Sequence, residues 1–231
     1  PSINAQKFSK SLTLATNDMW VTIPEGLRAE EIANILKKDI PSYKPDWREA
    51  LATREGYLFP DTYLIPRDAD INLVMSLLYN NFSKKYNGVN AEKTGLTQKE
   101  IVTIASLIER EAKFAQDRPL VASVILNRLG IGMKLDIDAT VQYALGYQAD
   151  EKRWWKRSLT NIDKLLQSPY NTYKVAGLPP APISNPGLES LRAAISPAKT
   201  SYLYYITDRN GVNRYSEDLE GHNANIQKYG L

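Results

Sequence analysis

Apolar residues along this chain recur mostly at the spacings of helices, and alternate with polar residues in only a few short stretches. Ile32, Ala33, Ile35 and Leu36 within residues 29–38, and Leu73, Leu77, Leu78 and Phe82 within 70–86, each predict a helix. From Gln98 to about Glu111, Ile101, Ile104, Ala105, Ile108 and Ala112 form one stripe, the pattern of a helix buried along one face. Its start is marked by Thr97-Gln98-Lys99-Glu100, a capping box in which side chains satisfy otherwise free backbone donors. Pro119 and Gly130 bracket another helix, Asp138 is expected to cap one ending at Gly146, and Asn185-Pro186 to start one that stops at Pro197.

Alternation is rarer. Leu12, Leu14, Trp20, Val21 and Ile23 predict a pair of short strands, and Met133, Leu135 and Ile137 a third. Tyr202–Thr207 and Val212–Tyr215 flank Asp208-Arg209-Asn210-Gly211 as a hairpin. The expected fold class is α+β: a helix-rich main domain with short strands and a C-terminal hairpin, plus a small N-terminal strand and helix unit. Breaks at Pro24-Glu25-Gly26 and across Pro41–Pro45 suggest a division into residues 1–45 and 46–231.

Composition narrows the chemistry. The chain has 231 residues, 43% of them hydrophobic and 24% charged, in keeping with a soluble globular protein. Lys and Arg exceed Asp and Glu by only 29 to 26 and form no dense basic stripe, which gives no support to nucleic-acid binding. The absence of cysteine excludes disulfides, thiolate metal sites and a Cys nucleophile. With one histidine, His222, a multi-imidazole metal centre is excluded, and carboxylate or tyrosine chemistry is favoured. No metal or organic cofactor is indicated. No stretch approaches the ~18–20 apolar residues that span a bilayer, and a start at Pro1 leads us to expect an export or anchor segment outside this sequence.

Glu109 stands at the margin of the 98–111 stripe, one turn beyond Ala105, between core and cleft. Glu111 lies about 200° round the helix from it, so the two cannot form a close pair and their roles must differ. A carboxyl that acts as a general acid near neutral pH needs a raised pKa, and apolar neighbours near a helix C-terminus are expected to push Glu109 that way. Periodicity alone favours a merely solvated, charged helix end at Glu109-Arg110-Glu111.

The wider sequence adds specificity. Ala105-Ser106-Leu107-Ile108-Glu109-Arg110-Glu111 is followed by Val121-Ala122-Ser123-Val124-Ile125-Leu126-Asn127-Arg128-Leu129, Asp138-Ala139-Thr140-Val141-Gln142-Tyr143, Tyr170-Asn171-Thr172-Tyr173 and Gly177-Leu178-Pro179-Pro180. Together with Glu55-Gly56-Tyr57-Leu58-Phe59-Pro60-Asp61 upstream and Ser196-Pro197-Ala198-Lys199-Thr200 downstream, this order resembles the MltG (YceG-like) endolytic murein transglycosylases over roughly residues 50–231. The resemblance implies cleavage between N-acetylmuramic acid and N-acetylglucosamine inside peptidoglycan strands, with 1,6-anhydro ends and Glu109 as acid and base. It implies substrate contacts from Glu55, Asp138, Thr140, Gln142, Tyr170, Asn171, Thr172 and Tyr173, for each of which a capping or loop role stays open.

The resemblance also implies a single-pass N-terminal anchor, a position on the outer face of the cytoplasmic membrane, and peptidoglycan synthases or the division and elongation machinery as partners. Leu178-Pro179-Pro180-Ala181-Pro182 is read as a rigid cleft wall, and Val21–Gly26 resembles the segment that joins a LysM-like unit to the catalytic region. Ala139 replaces a proline common in relatives, and the tail through His222 is looser than the usual ending. Two rivals remain: a muramidase-like hydrolase using the same glutamate, and a non-catalytic peptidoglycan-binding or cell-division scaffold.

Overall fold

The computed structural model describes residues 18–229. Its helices are α1 (Ala29–Asp39), α2 (Trp47–Ala52), α3 (Ile71–Asn87), α4 (Gln98–Glu111), α5 (Arg118–Gly130), α6 (Asp138–Leu145), α7 (Leu188–Ile195) and α8 (Leu219–Tyr229). Two antiparallel ribbons complete it, β1 (Asp18–Thr22) with β2 (Thr62–Pro66), and β3 (Tyr204–Thr207) with β4 (Asn213–Ser216). The class is α+β, as the sequence predicts. Among the described residues no helix is long and apolar enough to cross a membrane.

Helix α4 is the axis of the larger core. Its capping box forms as expected: Thr97 Oγ1 accepts the Glu100 N–H at 3.3 Å, and Glu100 Oε2 accepts the Thr97 N–H at 2.8 Å. The expected one-sided stripe is replaced by burial all round, since every residue from Ile101 to Ile108 is buried. The polar residues on the far side explain how. Ser106 Oγ accepts the Ile183 N–H at 3.1 Å, and the Ser106 carbonyl accepts Ser184 Oγ at 3.3 Å, so the 178–187 strap is hydrogen-bonded onto the helix. Pro182 of that strap presses on Gly56, where φ is +88° and an added Cβ would lie 2.5 Å from the Pro182 ring.

A second apolar cluster runs through Val21, Ile32, Leu36, Trp47, Leu51, Leu58, Ile65, Val74 and Leu78, on both sides of residue 45. β1 contributes Val21 to it, and pairs with β2 through Trp20↔Leu64 and Val21↔Tyr63 rather than with a neighbour in sequence. Leu12 and Leu14 lie outside the described residues.

Three local expectations are corrected. Residues 133–137 form no strand, because their backbone groups are taken by side chains. The Arg128 guanidinium donates to the Lys134 and Leu135 carbonyls at 3.1 and 2.7 Å, and Thr172 Oγ1 accepts the Ile137 N–H at 3.0 Å. Asp138 is the first residue of α6 and not its cap, which is Ile137. The helix expected from Asn185 begins at Leu188, because Asn185 is bonded into the core. Helices α2 and α8 are additions: α2 has six residues, too few for a period, and α8 buries none of its own.

Candidate active site

The last turn of α4 carries two glutamates into different surroundings. Glu111 opens on a cavity of about 370 Å³, toward the small end of the ~300–1,000 Å³ usual for ligand sites. Arg128 of α5, Asp136 in the loop before α6, Asp138 at the start of α6, Tyr173 and His222 stand around it, with Tyr205 of β3 behind. Tyr205 donates its O–H to Glu111 Oε2 at 2.6 Å. Burial and the Asp138 charge raise the Glu111 carboxyl above the usual carboxylate range, opposed by the Tyr205 bond, the Ala139 N–H and Arg110. Asp138 is itself held in place, accepting from Tyr173 Oη at 2.6 Å and pairing with Lys164 at 3.1 Å. The arrangement favours the protonated form of a carboxyl that faces a ligand-sized space.

Glu109 points away from that cavity. Its side chain is 7% exposed, with Oε1 3.4 Å from Arg118 of α5 and Oε2 accepting the Gly187 N–H at 3.0 Å. Gly187 is the N-cap of α7, where an anion meets the positive end of the helix dipole. A side chain on Gly187 would overlap the Glu25 carboxylate, which shares Arg118 at 3.6 Å. Glu109 therefore ties α4, α5 and α7 together. Both its oxygens are already occupied by donors.

The structure brings Asp138 and Tyr173, of the expected contact residues, to the cavity beside Glu111. The others are bound inward. Thr140 donates to the Ile137 carbonyl at 2.6 Å and meets Thr172 at 3.0 Å, while Gln142 holds the Lys156 carbonyl at 2.7 Å. Asn171 is wholly buried, donating to the Lys164 and Leu166 carbonyls and accepting the Tyr173 N–H at 3.0 Å. Tyr170 packs on Tyr143 with ring centres 4.9 Å apart. These bonds shape the loop that presents Tyr173. Likewise the 178–182 strap packs against Gly56 and does not line this cavity, so its expected role as a cleft wall is corrected to packing.

The chain as a whole has counterparts among known proteins. The model of the YceG-like family matches residues 1–228. The chain belongs to the YceG-like family. It is 37% identical to a protein of Bacillus subtilis (strain 168) named endolytic murein transglycosylase, over 96% of this chain and 59% of that protein. A Streptococcus pneumoniae serotype 2 protein of the same name is 34% identical over 76% of this chain and 32% of its own length. The chain thus spans less than two thirds of these relatives. A crystal structure of a yceG-like protein from Listeria monocytogenes matches with a TM-score of 0.78 and 30% identity, covering 97% of this chain and 81% of that one.

In this YceG-like chain, Glu55 lies in the core and not at the cavity. Its oxygens accept the Ala29 N–H at 3.1 Å, at the start of α1, and Asn185 Nδ2 at 2.7 Å. Burial raises its carboxyl from 4.5 to about 8. Between those values the folded chain holds a proton that the unfolded chain has released, so this group makes stability fall as pH rises from about 4.5 to 8. Urea denaturation at pH 5, 6.5 and 8 is expected to show that decline, on the order of a few kcal/mol, in wild type and a flatter profile in Glu55→Gln. Equal slopes in both proteins would rule out Glu55 as the source.

Two groups at the site escaped the sequence reading. Tyr205 carried no signal beyond a place in a strand. Glu111 did carry one, the 200° offset from Glu109, which pointed it elsewhere without showing that the cavity lay there.

Proposed function

We propose that this chain is the catalytic region of an endolytic murein transglycosylase, cleaving the N-acetylmuramic acid to N-acetylglucosamine bond within peptidoglycan strands, with Glu111 as acid and then base. The observation that carries the assignment is a partly buried, raised carboxyl lining a ligand-sized cavity and oriented by Tyr205. It departs from the expectation of Glu109, whose oxygens already serve Arg118 and Gly187.

The proton transfers follow from the geometry. With Tyr205 donating to Oε2, the labile proton belongs on Oε1, which gives it to the glycosidic oxygen as the bond to C1 breaks. The resulting carboxylate then takes the proton of the muramic acid C6 hydroxyl as that oxygen closes on C1. One carboxyl serves both halves, so no second carboxylate at glycosidase spacing is needed. Asp138, held by Tyr173 and Lys164, stands beside Glu111 at the cavity, where its carboxylate would face the developing positive sugar.

Mass spectrometry of purified glycan strands after incubation tests this reading. Internal cuts ending in 1,6-anhydromuramic acid are expected; reducing ends would establish a hydrolase, and no cuts at all would favour a scaffold. Tyr205→Phe gives a finer test. The Tyr205 bond lowers the Glu111 pKa, so its removal is expected to move the basic limb of the activity–pH profile upward while kcat falls about tenfold. An unmoved limb would show that Tyr205 does not tune the acid. The substrate lies outside the cytoplasmic membrane, and this chain is proposed to work there; protection from added protease in intact spheroplasts would count against it.

A further inference from the structure

The chain's one histidine stands in the wall of the same cavity as Glu111, and the proton transfers above do not use it. His222 lies in the first turn of α8, a helix without buried residues. Its ring stacks on Tyr204 with centres 5.1 Å apart and planes 29° from parallel. The Arg128 guanidinium lies over the same Tyr204 ring at 5.1 Å. These contacts fix the plane of the imidazole through its face and leave its edge uncommitted. Nδ1 has no hydrogen-bond partner among the described residues although it is shielded from solvent, an arrangement proteins seldom leave without a purpose.

A neutral imidazole presents one donor and one acceptor in a plane. Burial and the Arg128 charge both push His222 below its ordinary value, so the neutral form prevails around pH 7. A hydroxyl, which donates and accepts, and an acetamido group, which does the same through two atoms, are the complements that an amino sugar carries.

We infer that His222 is a substrate-binding residue, its imidazole edge hydrogen-bonding a hydroxyl or acetamido group of the amino sugar seated beside Glu111. This rests on the proposed function. It gives the C-terminal helix a part in the site: α8 delivers one polar group to the cavity from the side opposite the core, and the Tyr204 stack sets its angle.

Having a single histidine makes the test clean. In Glu111→Gln protein labelled with ¹⁵N at histidine, the ring nitrogens give signals without overlap, and saturating amounts of purified glycan strands are expected to shift them. With active protein, His222→Phe keeps a ring on Tyr204 but removes both nitrogens, and is expected to raise KM about five- to tenfold with kcat within about twofold. His222→Gln, which restores a donor and an acceptor, is expected to recover part of that loss. Ring signals unmoved by saturating glycan, with wild-type KM in His222→Phe, would reduce His222 to a staple between α8 and β3. Failure of the parent reading looks different: Glu111→Gln would itself still cut the strands, whatever the histidine signals do.

Discussion

Glu111→Gln is expected to abolish strand cleavage, by on the order of 10²–10⁴-fold, while the protein stays folded with an unchanged melting temperature within about 2 °C. Glutamine keeps the acceptor for Tyr205 Oη but has no proton to give and cannot serve as a base. Glu109→Gln is the necessary companion, because it changes the same chemistry two residues away. It keeps an acceptor for the Gly187 N–H and loses the ion pair with Arg118, a side chain only 16% exposed. Its expected signature is a loss of about 1–3 kcal/mol in stability, with turnover of the folded protein within about tenfold of wild type. The two variants thus separate a chemical from an architectural glutamate. A folded Glu109→Gln without activity, beside an active Glu111→Gln, would return the acid to Glu109.

The largest effect on stability is expected from Asn185→Ala. Asn185 is wholly buried, and its amide closes four hydrogen bonds at once. Oδ1 accepts the Gly56 and Leu58 N–H groups, both at 2.9 Å, while Nδ2 donates to the Leu27 carbonyl at 3.0 Å and to Glu55 at 2.7 Å. Its backbone adds two more, to the Leu27 carbonyl and from the Gly26 N–H. The residue therefore joins the strap along α4 to both segments that lead into and out of the N-terminal cluster. Alanine would leave the Gly56 and Leu58 N–H groups unpaired in the core, where each such group costs about 1–3 kcal/mol before relaxation, and would take one bond each from the Leu27 carbonyl and the Glu55 carboxyl. A loss of about 3–5 kcal/mol is expected by urea denaturation, enough to unfold a marginal domain. Less than about 1 kcal/mol would mean that water replaces the amide, and that the strap is held by Ile183 and Pro182 packing.

The helices were legible in proportion to how much apolar surface each buries on one side. α3, α4 and α5 lie within a residue or two of where spacing and caps put them, because Thr97, Asp70 and Pro119 act locally on backbone groups next to them. The β3–β4 hairpin was legible for the same reason, its turn closed by Asp208, which accepts the Asn210 and Val212 N–H groups at 2.9 and 3.0 Å. β1 was half legible: alternation marked it, but its partner β2 lies some 40 residues on, and no local pattern encodes such a pairing.

The site was legible in kind and blurred in detail. Order of motifs drew attention to the last turn of α4 and to loops that include Asp138 and Tyr173, which line one cavity with Glu111. It did not separate residues that face the cavity from those, such as Asn171 and Thr172, that are buried to hold its loops. Polar residues in a motif look alike on paper whether they bind a ligand or a carbonyl, since both tasks need the same donors and acceptors.

By itself, then, the sequence determined the class of fold, the helix whose end bears two glutamates and the fact that Glu109 and Glu111 face different ways. Which surroundings each glutamate meets was decided only by tertiary structure. α5 and the N-cap of α7 close over one side of the helix end and bring Arg118 and Gly187 to Glu109. β3, α6 and α8 leave the other side open and bring Tyr205, Asp138 and His222 around Glu111. A carboxyl's acidity is set by what surrounds it, and those surroundings come from segments up to about a hundred residues away in the chain.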